Sequence, residues 1–310
     1  MYCNFSVPSA PVPIEAGLRL AQPATYDDVT ALRQDARRAE CLAKELSTGE
    51  DLALLPLLLL AAGGKPGVFV ELGAFDGVTG SQTLALERCL GWRGVLVEAS
   101  PRNFEKLRHS GRTASDMFHA AGCAAGSNVT MRLDSTGSTG SRSTVVAANA
   151  QGGLTTVPCR ELREMVASAG MDEVTFLSLD VQGAEETVLL TTDLKAVRLA
   201  LVETEDLQPG AAQKNARVRA LLKESGLVPH HMHHHYPANR WPHGPRRSVA
   251  RNELFVRAWA GSLVRSSPEL HMFHQQSVST RAVAIMSAAE KQRQVSCGLA
   301  AARRAIDESK

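Results

Sequence analysis

The sequence predicts a doubly wound α/β fold, a mostly parallel sheet with helices on both faces. Three observations predict it. First, the runs VFVEL (68–72), GVLVEA (94–99), VTFLSLD (174–180) and LALVETE (199–205) are almost continuously apolar, with an acid at or near the carboxyl end. Such runs suit strands covered on both sides. Second, the intervening pieces SQTLALERCL (81–90), SPRNFEKLRHS (100–110), CRELREMVASAG (159–170) and AQKNARVRALLKESG (212–226) have helical apolar spacing, some with glycine stops. Third, the two kinds of segment alternate, and strand–helix alternation places helices on both sides of a parallel sheet.

Composition limits the function classes. The 310 residues carry 34 Lys and Arg against 32 Asp and Glu, and only 5% are aromatic. A nucleic-acid binder needs a concentrated basic face and stacking surfaces, so nucleic acid is not expected as a partner. The longest apolar run, LALLPLLLLAA (52–62), contains Pro56 and falls well short of the roughly 20 residues a membrane span needs. It reads as a buried helix. No basic start followed by an apolar block precedes it, so no secretory signal is expected. The six cysteines (Cys3, Cys41, Cys89, Cys123, Cys159 and Cys297) are scattered with no C-x-x-C pair. They read as free, buried thiols in a reducing compartment, and the expected location is cytoplasmic. No feature specifies an oligomeric state.

Three regions follow. Residues 1–27 are Pro- and Ala-rich and read as an extended arm. Residues 28–260 read as the main domain, led by a helical stretch over 28–60 that GGKPG (63–67) breaks. Residues 261–310 lack a strong apolar stripe and read as an appendage outside the core. Within the main domain, the Ser-, Thr- and Gly-rich stretch 126–153 reads as a mobile loop, or as a weak strand followed by a lid.

The turn Gly73-Ala74-Phe75-Asp76-Gly77 after the first strand is a candidate ligand cradle, since glycine allows close approach and positive φ. A dinucleotide's pyrophosphate wants amide donors without nearby carboxylates. Glu71 and Asp76 flank this turn, and the G-x-G-x-x-G spacing is missing. Carboxylates there favour the amino group and sulfonium of S-adenosylmethionine. Glu98, ending the next strand, suits the two ribose hydroxyls of that cofactor and equally those of NAD. The predicted cofactor-contact set is Glu71, Gly73, Ala74, Asp76, Gly77, Glu98 and Ala99.

The segments VFVELGAFDGVTGSQTLALERCLGWRGVLVEASPRNFEKL (68–107), FLSLDVQGAEETVL (176–189) and NELFVRA (252–258) together resemble the FkbM-type methyltransferases. The resemblance covers about 68–259. It implies a Rossmann-like methyltransferase sheet of seven strands with the last antiparallel, and cofactor contacts at Glu71, Gly73 and Glu98. It also implies O-methylation of a hydroxyl on a sugar or small molecule. Gln182 stands where the family usually has Glu, and Ala99-Ser100 precedes Pro101 where Glu-Pro is common.

On the reacting side, Asp180 ends a buried strand, where ligand crevices of such sheets open. An alcohol loses a proton as it attacks, so Asp180 is the first candidate base and Glu185, which the resemblance places at the pocket mouth, the second. Glu203 is a third acid on the same edge. Glu186 reads as a helix-dipole acid. The run His230, His231, His233, His234 and His235, with His243, reads as an exposed hairpin and no metal site is expected. Arg246, Arg247 and Arg251 read as solvated loop charge. The expected partner is a small-molecule or glycan acceptor. Two other readings stay open: a non-catalytic binding module on the same fold, kept open by Gln182, and a nicotinamide-dependent oxidoreductase.

Overall fold

The computed structural model describes residues 26–46, 49–113, 115–132, 144–146, 154–204, 210–230, 251–257 and 287–308. Its main sheet uses seven strands: β1 (Val68–Leu72), β2 (Arg93–Glu98), β3 (Ser115–His119), β8 (Val174–Leu179), β9 (Val197–Thr204), β10 (Leu227–His230) and β11 (Arg251–Arg257). They lie in the order β10-β11-β9-β8-β1-β2-β3. β1, β2, β3, β8 and β9 run parallel, and β11, the last in sequence, runs antiparallel between β9 and β10. The expected seven-stranded, doubly wound sheet is the one observed.

Period-two alternation distributes the core. Phe69, Leu96, Phe176, Leu199, Leu201, Leu254 and Val256 project to one face. There they meet α2 (Gly49–Ala61), Leu86 of α3 (Leu84–Leu90), Leu107 of α4 (Pro101–Arg108) and the alanines of α8 (Ala288–Glu308). Val70, Leu72, Val95, Val97, Leu177, Ala200 and Phe255 project to the other face. α5 (Leu162–Ser168), α6 (Glu185–Leu190) and α7 (Ala211–Glu224) cover that side. Each buried Leu or Phe contributes about 1.5–3 kcal/mol, so both faces have to be covered.

The structure refines several expectations. The helical lead-in is two helices, α1 (Tyr26–Glu45) and α2, and the apolar run is the buried α2. No described helix is long and apolar enough to cross a membrane. The stretch 126–153 supplies β5 (Asn128–Arg132) and β6 (Thr144–Val146). With β4 (Ala121–Gly122) and β7 (Leu154–Arg160) they form a second, four-stranded sheet. Residues 133–143 and 147–153 of that stretch lie outside the described residues, as do 1–25 of the N-terminal arm. The expectation of a C-terminal appendage is corrected over its final helix. α8 packs on α1 and α2, and its Ala301 and Ala305 belong to the core on that face. Its small side chains let helices approach closely, which an apolar-stripe search undervalues.

The free-thiol expectation is overturned. Cys41 is bonded to Cys89 and Cys123 to Cys159, Cys297 is disulfide-bonded as well, and no free cysteine stands among the described residues. The partners lie 48 and 36 residues apart in sequence, and the fold brings their Cα atoms to 5.6 and 5.0 Å. Spacing alone carries no trace of that. Disulfides persist in oxidising surroundings, so cysteine usage gives no support to a reducing compartment or to the cytoplasmic location inferred from it. Replacing Cys41 and Cys89 together by Ser is expected to lower stability by about 2–4 kcal/mol in urea unfolding under non-reducing conditions. Stability equal to wild type would mean that the α1–α3 tie is not formed in solution.

Candidate functional site

The site grows from the carboxyl end of β1. There the Asp180 amide donates to the Leu72 carbonyl (3.2 Å), and the amides of Gly73 and Ala74 donate to the Val97 carbonyl (3.0 and 3.1 Å). Three strand ends are thereby drawn together. Gly73 has φ +80°, and a Cβ on it would lie 1.9 Å from the Asp180 carbonyl oxygen. Only glycine fits that contact. Phe75 follows in left-handed conformation (φ 51°), and its amide donates to Glu98 Oε2 at 2.9 Å. The chain does not then enter a helix at once, because α3 begins only at Leu84.

Side chains hold this long turn. Asp76 folds the segment back on itself, accepting from the amides of Val78 (2.9 Å) and Thr79 (2.7 Å) and from the Thr79 hydroxyl (2.7 Å). These bonds hold its carboxyl below the usual range against the opposing effect of partial burial. Glu71 anchors the far end, accepting from the hydroxyls of Ser81 (2.8 Å) and Thr83 (2.5 Å) and from the Gln82 amide (3.0 Å). Beneath lies Arg112, whose Nε donates to Glu87 at 2.7 Å. Its other nitrogens donate to the Gly77 carbonyl (2.9 Å), Ser81 Oγ (3.2 Å) and Thr83 Oγ1 (2.9 Å). Glu87 also accepts from Ser115 Oγ and the Thr113 amide. Burial raises the Glu71 carboxyl above its ordinary value, with Arg112 offsetting part of the rise. Burial opposes ionisation of Glu87 too, but its bonds from Ser115 and Arg112 outweigh that and hold it low.

Beside the turn a pocket of about 590 Å³ opens over the carboxyl ends of β1 and β2. Gly73, Glu98 and Ala99 of the predicted cofactor-contact set line it, as does Asp180, the first candidate base. Glu98 is almost wholly buried. It accepts from the Phe75 and Ser100 amides (2.9 and 2.8 Å) and from the Asn103 side chain. Burial pushes its carboxyl up to about 7, outweighing those bonds, and the charge of Asp180 adds to the rise. Val129 and Met131 of β5 and Val188 of α6 make an apolar wall. Cys123, just after β4, also lines the pocket, so its disulfide to Cys159 ties the end of β4 to β7 at that wall.

Four predicted contacts lie elsewhere. Glu71 faces a side chamber of about 60 Å³, shared with Gln82, Ser178, Asp180 and Asn252. Ala74 is packed in the core and Asp76 is turned to its own loop. Gly77 lies off the pocket wall and presses on α4, where a Cβ would meet Leu107 at 2.6 Å.

On the opposite lip, Asp180 is exposed and Gln182 adopts φ 51°. The Gln182 side-chain amide donates to Asp180 Oδ1 (2.6 Å) and to Glu203 Oε2 (2.9 Å), bridging the ends of β8 and β9. The expectation that Glu185 sits at the pocket mouth is corrected. It is 2% exposed, ion-paired with Lys214, and accepts from the Gly183 amide at 2.7 Å. Its place in the first turn of a helix that packs on α7 directs it inward, where it fixes the turn over 181–184. Glu186 forms a surface pair with Arg217, a dipole-side acid as expected. Residues 231–250, with most of the histidine run, lie outside the described residues. His230 pairs with Leu254 within the sheet. Among the described residues no group of three or more His, Cys, Asp or Glu is arranged to hold a metal.

Phe75, Asn103 and Gln182 line the pocket without having been predicted. Position 182 was visible in the sequence as a departure from the pattern, whereas Phe75 and Asn103 carried no signal. Arg112 was invisible too, because it lies 25 residues from Glu87 in an ordinary polar stretch.

A sequence model of the methyltransferase FkbM domain matches residues 71–228, more than half of the chain. No curated protein matches it by sequence. Among solved structures, methyltransferase FkbM from Methylobacillus flagellatus KT aligns at 11% identity and TM-score 0.36, over 62% of this chain and 43% of that one. The chain thus spans less than half of that protein. An O-methyltransferase from Bacillus cereus in complex with SAH aligns at 13% identity and TM-score 0.39, over 77% and 94% of the two chains. Cofactor-bound Rv0187 from MTB aligns at 12% identity and TM-score 0.37, over 76% and 98%.

The buried network yields a stability test. Arg112→Leu leaves Glu87 charged and buried without its cation, which is expected to cost about 3–5 kcal/mol in urea unfolding. A loss below about 1 kcal/mol would show that the turn does not depend on it.

Proposed function

Because the chain belongs to the FkbM methyltransferase family, we propose that it transfers a methyl group from S-adenosylmethionine to a hydroxyl oxygen of a sugar or other small molecule. The observation that carries this reading is a buried carboxylate, Glu98, at the wall of a pocket whose other lip bears an exposed carboxylate, Asp180. The residues present fit the cofactor. Glu98 keeps acceptor capacity beyond its bonds to the chain and accepts from ribose hydroxyls, with Ala99 beside it. Gly73 has no side chain to obstruct approach to the end of β1. The bound cofactor supplies a methyl group activated by a sulfonium. Asp180 accepts the proton that the attacking hydroxyl loses, and Gln182 orients that carboxylate. Val129, Met131 and Val188 give one wall of the pocket an apolar surface, which disfavours water there and strengthens charge interactions beside it. Glu185 acts at one remove, by holding the turn that carries Gln182.

Two expectations test the assignment. The first concerns pH. Glu98 accepts from ribose hydroxyls with both oxygens only when ionised. S-adenosylhomocysteine affinity is therefore expected to fall by up to about tenfold per pH unit below about 7 and to be flat above it. In the free protein the sign is opposite. A carboxyl raised from 4.5 to about 7 binds its proton more tightly in the folded state, so its stability contribution is lost as pH rises through that window. Calorimetric titration from pH 6 to 8 reads the first effect. A flat profile, or one that Glu98→Gln leaves unaltered, would remove Glu98 from the ribose site.

The second concerns the base. With an acceptor found by screening hydroxylated sugars and small molecules, Asp180→Asn is expected to lower kcat by about 100-fold or more. S-adenosylhomocysteine binding should be retained. Undiminished turnover would exclude Asp180 as the base.

A further inference from the structure

The pocket is expected to hold a cation, yet the carboxylates around it are mostly committed elsewhere. Glu71 is spent on Ser81, Gln82 and Thr83 in the field of Arg112. Asp76 is folded into its own loop. Glu98 is bonded to the Phe75 and Ser100 amides, with burial opposing its charge. Glu185 is neutralised by Lys214 and Glu186 by Arg217.

Asp180 differs from all of these. It lines both the main pocket and the side chamber. It is exposed, and no cation lies within ion-pair distance of it among the described residues. Its hydrogen bond comes from Gln182, a neutral donor that simultaneously holds Glu203. A neutral clamp fixes two carboxylates beside each other without cancelling either charge, whereas Lys or Arg at that position would cancel one. The clamp is maintained with Gln182 in a left-handed backbone conformation, which L side chains adopt at a cost.

We propose that Asp180, clamped by Gln182 against Glu203, is the group by which this pocket tells a cationic ligand from a neutral one of the same shape. The role first assigned to Glu71 and Asp76 thus belongs to the opposite lip. The inference rests on the cofactor reading above and sharpens it. The pocket admits S-adenosylmethionine on its charge and holds its neutral product less well than shape alone would dictate.

The test needs no acceptor. Dissociation constants are measured by calorimetry at pH 8 for S-adenosylmethionine, for sinefungin (an ammonium in place of the methylsulfonium) and for uncharged-sulfur S-adenosylhomocysteine. Wild type, Asp180→Asn, Gln182→Glu and the remote Glu186→Gln are compared. Asp180→Asn is expected to weaken both cationic ligands about fivefold relative to S-adenosylhomocysteine. Gln182→Glu adds a charge and is expected to shift the ratio the other way, while Glu186→Gln leaves it at the wild-type value. Equal changes for all three ligands in Asp180→Asn would overturn the proposal while leaving the cofactor reading intact. An unchanged or reduced preference in Gln182→Glu would remove Gln182 from it. If wild type binds none of the three, the cofactor reading itself falls, and this inference with it.

Discussion

The ion pair between Arg112 and Glu87 underlies the site. Both side chains are almost fully removed from water. Taking two charges out of water costs several kcal/mol each, and only a complete set of hydrogen bonds offsets that. Here the set is supplied by the loop that shapes the pocket: the Gly77 carbonyl, Ser81 and Thr83 bind Arg112. Thr113 and Ser115 bind Glu87. Through Ser81 and Thr83 the network reaches Glu71, and so β1. Segments with no regular structure of their own are thereby fixed against the sheet. The order of the turn and the solvation of the pair are one constraint seen from two ends.

That coupling explains why the fold was more legible in the sequence than the site. Apolar runs of strand length and amphipathic stretches of helix length recur with a period that survives in any window, and β1, β2, β8 and β9 fall within a residue or two of the predicted runs. β3 and β10 escaped notice because SDMFH and LVPH are edge strands, polar or interrupted by proline. The site depends on pairs distant in sequence, such as Glu87 with Arg112 or Gln182 with Glu203, and no local pattern encodes those.

Glu71 is the instructive case. Strand residues two apart share a face, so Glu71 projects with Phe69, away from Leu72. Phe69 belongs to the face under α2 and α3, whereas Leu72 and Val97 line the pocket. The alternation that located the strand therefore also argued against placing its acid in the main pocket. Asp180 lies just past the end of its strand, where alternation no longer dictates direction, and it lines the pocket. The cysteines show the opposite limit. Their pairing is a property of the folded chain alone.

The placement of β11 and α8 bears on how the protein is made. Synthesis delivers α2 well before α8, yet α8 packs along α2. β11 must slot between β9 and β10, both of which precede it. A nascent chain emerging from the ribosome therefore carries the leucine-rich α2 without this cover, and a sheet with a gap, until β11 and α8 have been translated. Domains ordinarily fold as units during synthesis. This one closes only when β11 and α8 arrive, so products truncated before them expose an apolar helix and unpaired strand edges, the features that recruit chaperones or lead to aggregation.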